Sequence, residues 1–427
     1  MKINILTLGC SKNTVDSEVL ATYLAKGNEI VFDSPLDSAD AVIINTCGFI
    51  LDSKQESIDY ILDALEAKQE GLLSKVYVMG CLVERYKKEL PAELPEVDGF
   101  FGVNDLPDIL KTFDIDYKKE LFGERLLSTP SHYAYLKISE GCDRSCAFCA
   151  IPLIRGKHKS VPMEEVISRA KNLRNQGVQE LILIAQDSTY YGRELYGEPK
   201  IAELLDNLSQ IDFPWIRLHY MYPSSFPKDL IDVMAGRENI VKYVDIPFQH
   251  ASDKVLKMMR RGHGKDKIYE LVEAFRTKMP DVAIRTTLIV GHPGEGEKEF
   301  QELYDFVEEM KFDRLGVFPY SHEENTYGGE HYDDEVPDEI KQERLDAIMT
   351  LQEKISLEKN QAKEGKVFDI LIDRREGEYF VGRTQYDSPE VDNEVLVSSD
   401  DLETGKFYKI KITDAAEYDL FGEVVKQ

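Results

Sequence analysis

Three cysteines stand within eight residues in the stretch EGCDRSCAFCAIP, at Cys142, Cys146 and Cys149. A structural zinc ion usually takes four ligands, and the nearest fourth candidate, His158, lies nine residues further on in a basic loop. A ferredoxin-type run has the spacing C-x2-C-x2-C and supplies a fourth cysteine. Three thiolates on a four-iron cluster leave one iron open to a substrate or cofactor. The spacing therefore favours an open iron–sulfur site, with zinc as the alternative.

The other three cysteines each end a strand-like apolar run. Cys10 follows NILTLG, Cys47 follows VIINT and Cys81 follows VYVMG. In an open parallel α/β sheet the carboxyl ends of the strands lie along one edge, which is where ligands bind. We therefore predict that these three thiols converge in space as a second open iron–sulfur site. Burial of small residues at strand ends is the alternative that the spacing leaves open.

The charge balance argues against nucleic acid as the first partner to propose. With 52 Lys and Arg against 79 Asp and Glu, the chain has a formal net charge of −27, a field that repels polyanions and attracts basic partners. A local basic group, with Arg260, Arg261, His263 and Lys265, still offers a place for RNA, and solvated loop charge is the alternative. We expect no strong nucleic-acid binding.

The pattern of apolar residues and the cysteine content predict the cellular compartment. The stretch MKINILTLGC is too short and too soon polar for a signal peptide, and no stretch approaches the roughly 20 apolar residues of a membrane span. We expect a cytoplasmic protein without a membrane partner. In that reducing compartment the six cysteines are better explained by thiolate chemistry or metal binding than by disulfides.

Strand-like and helix-like runs alternate through most of the chain. Up to about residue 124, the runs KINILTLG, ADAVIINT and KVYVMG alternate with amphipathic helical stretches, which predicts an open parallel α/β sheet. Six further strand-like runs follow: AYLKIS, ELILIA, WIRLHY, YVDIPF, VAIRTTLIVG and DRLGVFPY. Without a clear seventh or eighth, they predict a partial (β/α)6 version of the TIM barrel, with its site at the strand carboxyl ends.

The end of the chain has a different pattern. Residues 337–363 place Ile348, Leu351 and Ile355 on one helical face, which predicts a packing helix. Five short strands at roughly ten-residue spacing then predict a small closed, OB-like β-barrel. At about 150 residues per domain the length fits three domains. We place them at residues 1–125, 126–360 and 361–427.

The motif C-x3-C-x2-C just after a first strand, with Phe148 between its last two cysteines, resembles that of the radical S-adenosylmethionine superfamily. The resemblance implies a [4Fe-4S] cluster held by Cys142, Cys146 and Cys149, whose open iron binds S-adenosylmethionine. It also implies reductive cleavage of that cofactor to a 5′-deoxyadenosyl radical, which removes hydrogen from an unactivated carbon. Phe148 is then a candidate cofactor contact.

The whole chain, with three strand-end cysteines, a radical domain and a small terminal barrel, resembles the methylthiotransferase family. This implies a second [4Fe-4S] cluster on Cys10, Cys47 and Cys81 that carries the sulfur, and a terminal barrel, called TRAM, that helps to bind substrate. It also implies two S-adenosylmethionine molecules, one as methyl donor and one as radical source, and an electron donor of flavodoxin or ferredoxin type. Direct transfer requires both clusters to face one cavity.

Four stretches are similar to the protein-modifying branch of that family. They are GCSKNTVDSE at residues 9–18, IPFQH at 246–250, TTLIVGHPGE at 286–295 and YSHEENT at 320–326. The resemblance implies that the substrate is protein twelve of the small ribosomal subunit, free or in the subunit particle, modified at the β-carbon of one aspartate. The alternatives are a tRNA adenosine methylthiotransferase and, from another class, a non-catalytic iron–sulfur docking protein.

Charge in the terminal barrel supports the protein-modifying branch. From residue 363 onward there are roughly twice as many carboxylates as basic side chains, among them Asp373, Glu390, Asp392 and Asp400. An RNA-binding barrel should display Lys and Arg, because neutralising phosphates supplies most non-specific affinity. An acidic barrel instead suits a basic protein.

Further site residues are implied by the resemblance at strand ends. Gln186 and Asp187, in LIAQDSTYYG, are candidate contacts to the methionyl part of S-adenosylmethionine. Gly291 would let the backbone approach the adenosyl half, although a tight turn is the alternative. Gln249 and His250 end another strand and are candidates for the barrel mouth, with a structural histidine as the alternative.

Overall fold

The computed structural model describes residues 1–117, 125–399 and 401–425. Residues 118–124, which lie just before the predicted end of the first domain at residue 125, and Asp400 lie outside the described residues. Within the described ranges, no helix combines the length and the apolar character that crossing a bilayer requires.

The first domain is a parallel five-stranded sheet with the order β2-β1-β3-β4-β5. Its strands are β1 (Lys2–Thr7), β2 (Glu29–Phe32), β3 (Ala41–Thr46), β4 (Lys75–Gly80) and β5 (Gly99–Phe101), and its helices are α1 (Ser11–Leu24), α2 (Leu51–Gln69), α3 (Cys81–Arg85), α4 (Leu90–Glu93) and α5 (Leu106–Thr112). The predicted open sheet is confirmed. The runs that the sequence analysis missed, β2 and β5, are short edge strands that are only partly buried, so their hydrophobic signal is weak.

The second domain is the predicted six-stranded partial barrel. Two parallel sheets, β6-β9-β10 and β11-β12-β13, are joined by one parallel bridge between Ile216 and Ile240. The strands are β6 (Tyr133–Lys137), β7 (Ser139–Glu140), β8 (Lys159–Ser160), β9 (Glu180–Ile184), β10 (Trp215–Leu218), β11 (Tyr243–Asp245), β12 (Ala283–Val290) and β13 (Arg314–Pro319). The short β7 and β8 pair outside the barrel.

Helices surround this barrel. They are α6 (Ile151–Arg155), α7 (Met163–Asn175), α8 (Arg193–Tyr196), α9 (Ile201–Leu208), α10 (Lys228–Gly236), α11 (Asp253–Met258), α12 (Lys265–Lys278), α13 (Glu297–Met310), α14 (Tyr327–His331) and α15 (Asp338–Gln361). The predicted packing helix is α15, which buries Ile348, Leu351 and Ile355 against the barrel core.

Alternation along the strands separates the two faces of the partial barrel. Leu181 and Leu183 share a core with the surrounding helices. Ile182 and Ile184, with the opposite orientation, share a cluster with Val15 and Val19 of α1. The first domain therefore lies over the concave face of the barrel, as direct transfer between two sites requires.

The third domain is the predicted closed barrel, with the strand order β14-β15-β16-β18-β17. Its strands are β14 (Val367–Glu376), β15 (Tyr379–Arg383), β16 (Glu394–Ser398), β17 (Phe407–Ala415) and β18 (Asp419–Val424). It contacts the radical domain at the amino-terminal ends of the strands, where Leu371 and Phe407 join a cluster with Trp215, Tyr243 and Ala283. These three residues are the first of β10, β11 and β12.

This contact uses part of the acidic surface that the sequence analysis assigned to a basic partner. Oδ1 of Asp373 lies 2.7 Å from Nε2 of His132, Glu390 accepts from the Tyr133 hydroxyl at 2.8 Å, and Asp392 accepts from the Tyr243 hydroxyl at 2.6 Å. These carboxylates hold the domains together. Only the remaining acidic residues of the barrel are left for a basic partner.

A buried ion network closes the same contact. Glu180, the first residue of β9, accepts from Arg217 at 2.7 Å and from Arg383 of the terminal barrel at 2.5 Å, and all three side chains are at most 2% exposed. Removing one partner from such a network leaves an uncompensated buried charge.

We expect Glu180→Gln to lower the free energy of unfolding by about 3–5 kcal/mol, because Arg217 then has no carboxylate partner. Urea unfolding of the whole chain, followed by circular dichroism, measures this change. The matched control is Glu270→Gln, whose carboxylate pairs with Lys267 while 67% exposed and should have little effect. Equal stabilities of the two variants would contradict the assignment of Glu180 as a structural anchor.

Candidate active site

The strand-end cysteines meet at the carboxyl edge of the first sheet. Cys10 directly precedes α1, Cys47 follows β3 and Cys81 begins α3. The turn before Cys10 packs so closely that a Cβ on Gly9, where φ is +89°, would lie 2.8 Å from the Cβ of Cys47. Burial raises the pKa of Cys47 and raises that of Cys81 to about 12, and in both the nearby Cys10 thiol adds to the rise. The structure thus brings these three cysteines together.

The second cysteine triad lies in the loop between β7 and α6. The backbone N–H of Arg144 donates to the Sγ of Cys142 at 3.4 Å. Burial raises the pKa of Cys142 to about 12, and it also raises that of Cys149, to which the neighbouring thiols contribute. All three cysteines are therefore grouped in one partly enclosed loop.

The Sγ of Cys146 lies between two polar side chains from other parts of the barrel. Nη1 of Arg261 donates to it at 3.3 Å, and the hydroxyl of Tyr222 lies 3.4 Å from it. The hydroxyl oxygen of Tyr222 also lies 2.9 Å from the carbonyl oxygen of Arg261, in donor geometry. Arg261, which the sequence analysis considered for RNA, is buried and directed at a thiol instead.

The two triads lie next to each other. Cys81 shares a small apolar cluster with Ala150 and Ile154, the first of which directly follows Cys149. The guanidinium of Arg155 connects the two sides, because its Nη2 lies 3.5 Å from the Sγ of Cys81 and donates to Oδ1 of Asn13 at 2.6 Å. The edge of the first sheet and the loop that carries Cys142, Cys146 and Cys149 therefore contact each other through buried residues.

Carboxylates hold Arg155 in this position. Asp16 of α1 and Glu140 of β7 each accept from Nη1 at 3.0 Å. Burial tends to raise the pKa of Glu140, but the charges of Lys137 and Arg155 hold it well below the ordinary value. The resulting ion network joins the first domain to the radical domain beside the cysteines.

A second interdomain contact involves the YSHEENT stretch. Glu323 accepts from Lys54 of α2 at 2.8 Å and from Arg85 of α3 at 2.7 Å. The hydroxyl of Tyr86 donates to Glu324 at 2.5 Å. Because α3 begins at Cys81, these contacts hold the helix that carries one of the thiols.

The donor set of each triad fits an iron–sulfur cluster. All six cysteines are free, so each triad has three thiols available as ligands. N–H groups of Arg155 and Arg261 stand close to sulfur atoms, the kind of hydrogen bonding that tunes cluster potential. Buried thiols of high pKa lose their protons when they bind metal.

The predicted methionyl contacts already have protein partners. Nε2 of Gln186 donates to Glu140 at 2.9 Å, while Oε1 of Gln186 is enclosed without a hydrogen-bond partner among the described residues. Asp187 accepts from Nε of Arg144 at 2.7 Å and from the Thr189 hydroxyl at 2.5 Å. Asp187 therefore orients Arg144, and the cofactor contacts of Gln186 and Asp187 stay predictions.

Phe148 lies in the loop that carries Cys142, Cys146 and Cys149, and Gly291 directly precedes its ring partner His292. The Phe148 ring meets His292 edge-on, with 6.4 Å between ring centroids. Gly291 has φ of +74°, and a Cβ there would lie 2.3 Å from Cγ of Lys341 on α15. The glycine is thus needed for a left-handed turn and for helix packing, whereas cofactor contacts by Phe148 and Gly291 remain predictions.

His250 has a structural environment. Its Nε2 lies 3.0 Å from Glu295, and its Nδ1 accepts the backbone N–H of Ser252 at 2.9 Å, with the ring fully enclosed. Gln249 keeps an enclosed Oε1 that has no hydrogen-bond partner among the described residues. The enclosed and hydrogen-bonded ring of His250 is what a structural histidine, the alternative left open by the sequence, would show.

Sequence reasoning missed Arg155, Asn13 and Tyr222 as site residues. Arg155 and Tyr222 carry no spacing signal, because their partners are tens of residues away or more. Asn13 lies within the GCSKNTVDSE stretch, so the resemblance could have pointed to it. For Asn13 and Arg155 the signal available in the sequence was their position a few residues after Cys10 and Cys149.

Three family models match successive parts of the chain. The model described as uncharacterized protein family UPF0004 matches residues 2–102, that of the radical SAM superfamily residues 136–307, and that of the TRAM domain residues 365–425. Each match lies inside one predicted domain, and the domain boundaries themselves stay predictions.

Curated relatives match over the full length. A protein of Cytophaga hutchinsonii named "Ribosomal protein uS12 methylthiotransferase RimO" is 57% identical over 100% of this chain and 98% of its own. Proteins of the same name from Flavobacterium johnsoniae and Bacteroides thetaiotaomicron are 53% and 50% identical, over 99% and 100% of this chain and 98% and 99% of their own.

Solved structures share the fold at low identity. The radical S-adenosylmethionine methyltransferase TsrM from Kitasatospora setae, solved with tryptophan and a SAM analogue, is 15% identical, with a TM-score of 0.54 over 74% of this chain and 72% of its own. The cobalamin-dependent radical enzyme OxsB is 14% identical, with a TM-score of 0.51 over 82% of this chain and 56% of its own. These likenesses support the radical-domain fold.

Proposed function

The chain belongs to the RimO family of ribosomal protein uS12 methylthiotransferases, and from this premise we propose that it attaches a methylthio group to the β-carbon of an aspartate in that ribosomal protein. The enzyme is a radical SAM transferase. The tRNA-modifying and non-catalytic alternatives gain no support from the full-length relatives. We also propose that it acts in the cytoplasm with an electron donor of flavodoxin or ferredoxin type.

The observation that carries the proposal is the adjacency of two cysteine triads. Cys81 packs against the segment that follows Cys149, and Arg155 spans from that segment to Cys81 and Asn13. Transfer of a sulfur group to a carbon radical requires both centres to face one substrate, because the radical must react before solvent quenches it. A chain that used its clusters only for docking would have no need of this arrangement.

The chain's own residues stabilise negative charge at the sulfur atoms, keep the two domains in register and exclude water. When bound, an iron–sulfur cluster on Cys142, Cys146 and Cys149 supplies the electron for cleaving S-adenosylmethionine, and one on Cys10, Cys47 and Cys81 supplies the sulfur. Arg261 stabilises negative charge at the Cys146 sulfur from 3.3 Å, and the Tyr222 hydroxyl holds Arg261 in place by donating to its carbonyl oxygen.

Arg155 performs the same task for Cys81 and keeps the two domains in register through Asp16 and Glu140. Ala150 and Ile154, which are 0% and 2% exposed, exclude water between the triads. A dry, low-dielectric site strengthens each of these interactions.

The test is an anaerobic assay of the iron- and sulfide-reconstituted protein with S-adenosylmethionine and reductant. Purified ribosomal protein uS12 and total tRNA are offered in parallel, and mass spectrometry reads each. We expect a gain of about 46 Da on the protein, one methylthio group in place of hydrogen. The same gain on tRNA alone would overturn the proposed substrate, and intact S-adenosylmethionine in both arms would overturn the proposed chemistry.

A further inference from the structure

Lys12 is a buried cation without a carboxylate partner. It stands two residues after Cys10, in the first turn of α1, and is 7% exposed. Among the described residues it forms no ion pair. Its Nζ lies 2.9 Å from the ring centroid of Tyr220, a cation–π contact. Burying an ammonium without an anion costs free energy, so the burial of Lys12 requires an explanation.

Nearby carboxylates are engaged elsewhere. Asp16, one helical turn along α1, binds Lys137 and Arg155. Asp245 accepts the backbone N–H of Tyr220 at 3.0 Å and pairs with Arg285 at 3.5 Å. Lys137 of the same interface has two carboxylate partners. The fold therefore neutralises that lysine but leaves Lys12 without a carboxylate.

Tyr220 is held in a strained conformation to make this contact. Its φ is +59°, a left-handed value that a bulky non-glycine residue rarely adopts. The backbone is fixed on both sides, because its N–H donates to Asp245 and its carbonyl accepts from Ser188 at 3.0 Å. Such strain persists where the surroundings enforce it and is concentrated at binding sites.

Lys12 acts together with two arginines on the histidine next to Tyr220. Burial lowers the pKa of His219, the neighbour of Tyr220, and the charges of Arg217, Arg285 and Lys12 lower it further. Lys12 keeps an exposed fraction of 7%, so the residue is not completely enclosed. An anion that entered here would meet a preformed positive field.

We infer that the ammonium of Lys12 binds the side-chain carboxylate of the substrate aspartate and so sets its β-carbon beside the sulfur-donating triad. This inference rests on the proposed function. The position two residues from Cys10 favours the substrate carboxylate over that of the S-adenosylmethionine that serves as radical source, whose predicted contacts surround Cys142, Cys146 and Cys149. Lys12 is then a positioning and specificity residue.

The test compares substrate binding by the wild-type enzyme, Lys12→Met and Lys12→Arg. Ribosomal protein uS12 with its target aspartate, and the same protein with asparagine there, are titrated anaerobically without reductant, so that affinity is measured and not turnover. We expect the wild type to prefer aspartate by roughly 30-fold or more. Lys12→Met should lose that preference, and Lys12→Arg should restore most of it.

One control variant and three alternative outcomes separate the possible causes. Lys26→Met removes an exposed charge just after α1 and should keep the preference. An equal loss of affinity for both substrates in Lys12→Met would indicate a structural role and overturn the inference. A weaker affinity for S-adenosylmethionine with unchanged discrimination would assign Lys12 to the cofactor and also overturn it. Failure of the wild type to bind or modify the ribosomal protein would instead sink the proposed function itself.

Discussion

Replacing Cys142, Cys146 or Cys149 by Ala is expected to reduce cleavage of S-adenosylmethionine to the background level. Each thiol supplies one of three cluster ligands, and a cluster that must keep one iron open has no spare ligand in the described site. The measurement is 5′-deoxyadenosine formed per enzyme under anaerobic reducing conditions, together with the iron content. We expect each variant to lose about half of the reconstituted iron, one cluster of two.

The matched control is Ser145→Ala, an exposed position in the same loop. It should retain full cleavage and full iron, because its side chain contributes no ligand. Cleavage at the wild-type rate by any of the three cysteine variants would falsify the assignment of this loop. Loss of cleavage in the serine variant would show that the loop tolerates no change and that the effect is structural.

Replacing Cys47 or Cys81 by Ala is expected to separate cleavage from sulfur transfer. The variants should still form 5′-deoxyadenosine, because the loop with Cys142 stays intact, but should add no methylthio group to the ribosomal protein. Product formation should fall below detection while the ratio of deoxyadenosine to product rises steeply. Mass spectrometry of the substrate and chromatography of the nucleoside measure the two quantities in one reaction.

A suitable control for this pair is Ser74→Ala, an exposed residue just before β4, the strand that Cys81 directly follows. It should carry out both steps as the wild type does. Full methylthio product from Cys81→Ala would contradict a sulfur-carrying role for the first domain. Loss of both activities would instead mean that the first triad is needed to hold the interdomain contact through Arg155.

Much of the fold was predictable because its signals are local. The alternation of short apolar runs with amphipathic helices indicated the open sheet, the six barrel strands and the terminal barrel. The edge strand β2 was missed because a partly buried strand of four residues carries little hydrophobic contrast. The acidic character of the terminal barrel was overinterpreted, because a count of charges does not reveal that Asp373 and Asp392 face another domain.

The sequence by itself determined the six thiols and their division into two triads, since ligand spacing and strand ends are properties of short segments. Only the tertiary structure decided how the triads are joined. Arg155 and Asn13 are 142 residues apart in the chain, and Lys54 and Glu323 are 269 residues apart. The unpaired charge of Lys12 is likewise visible only after folding, because a charge is compensated or left open by neighbours that distant parts of the chain supply.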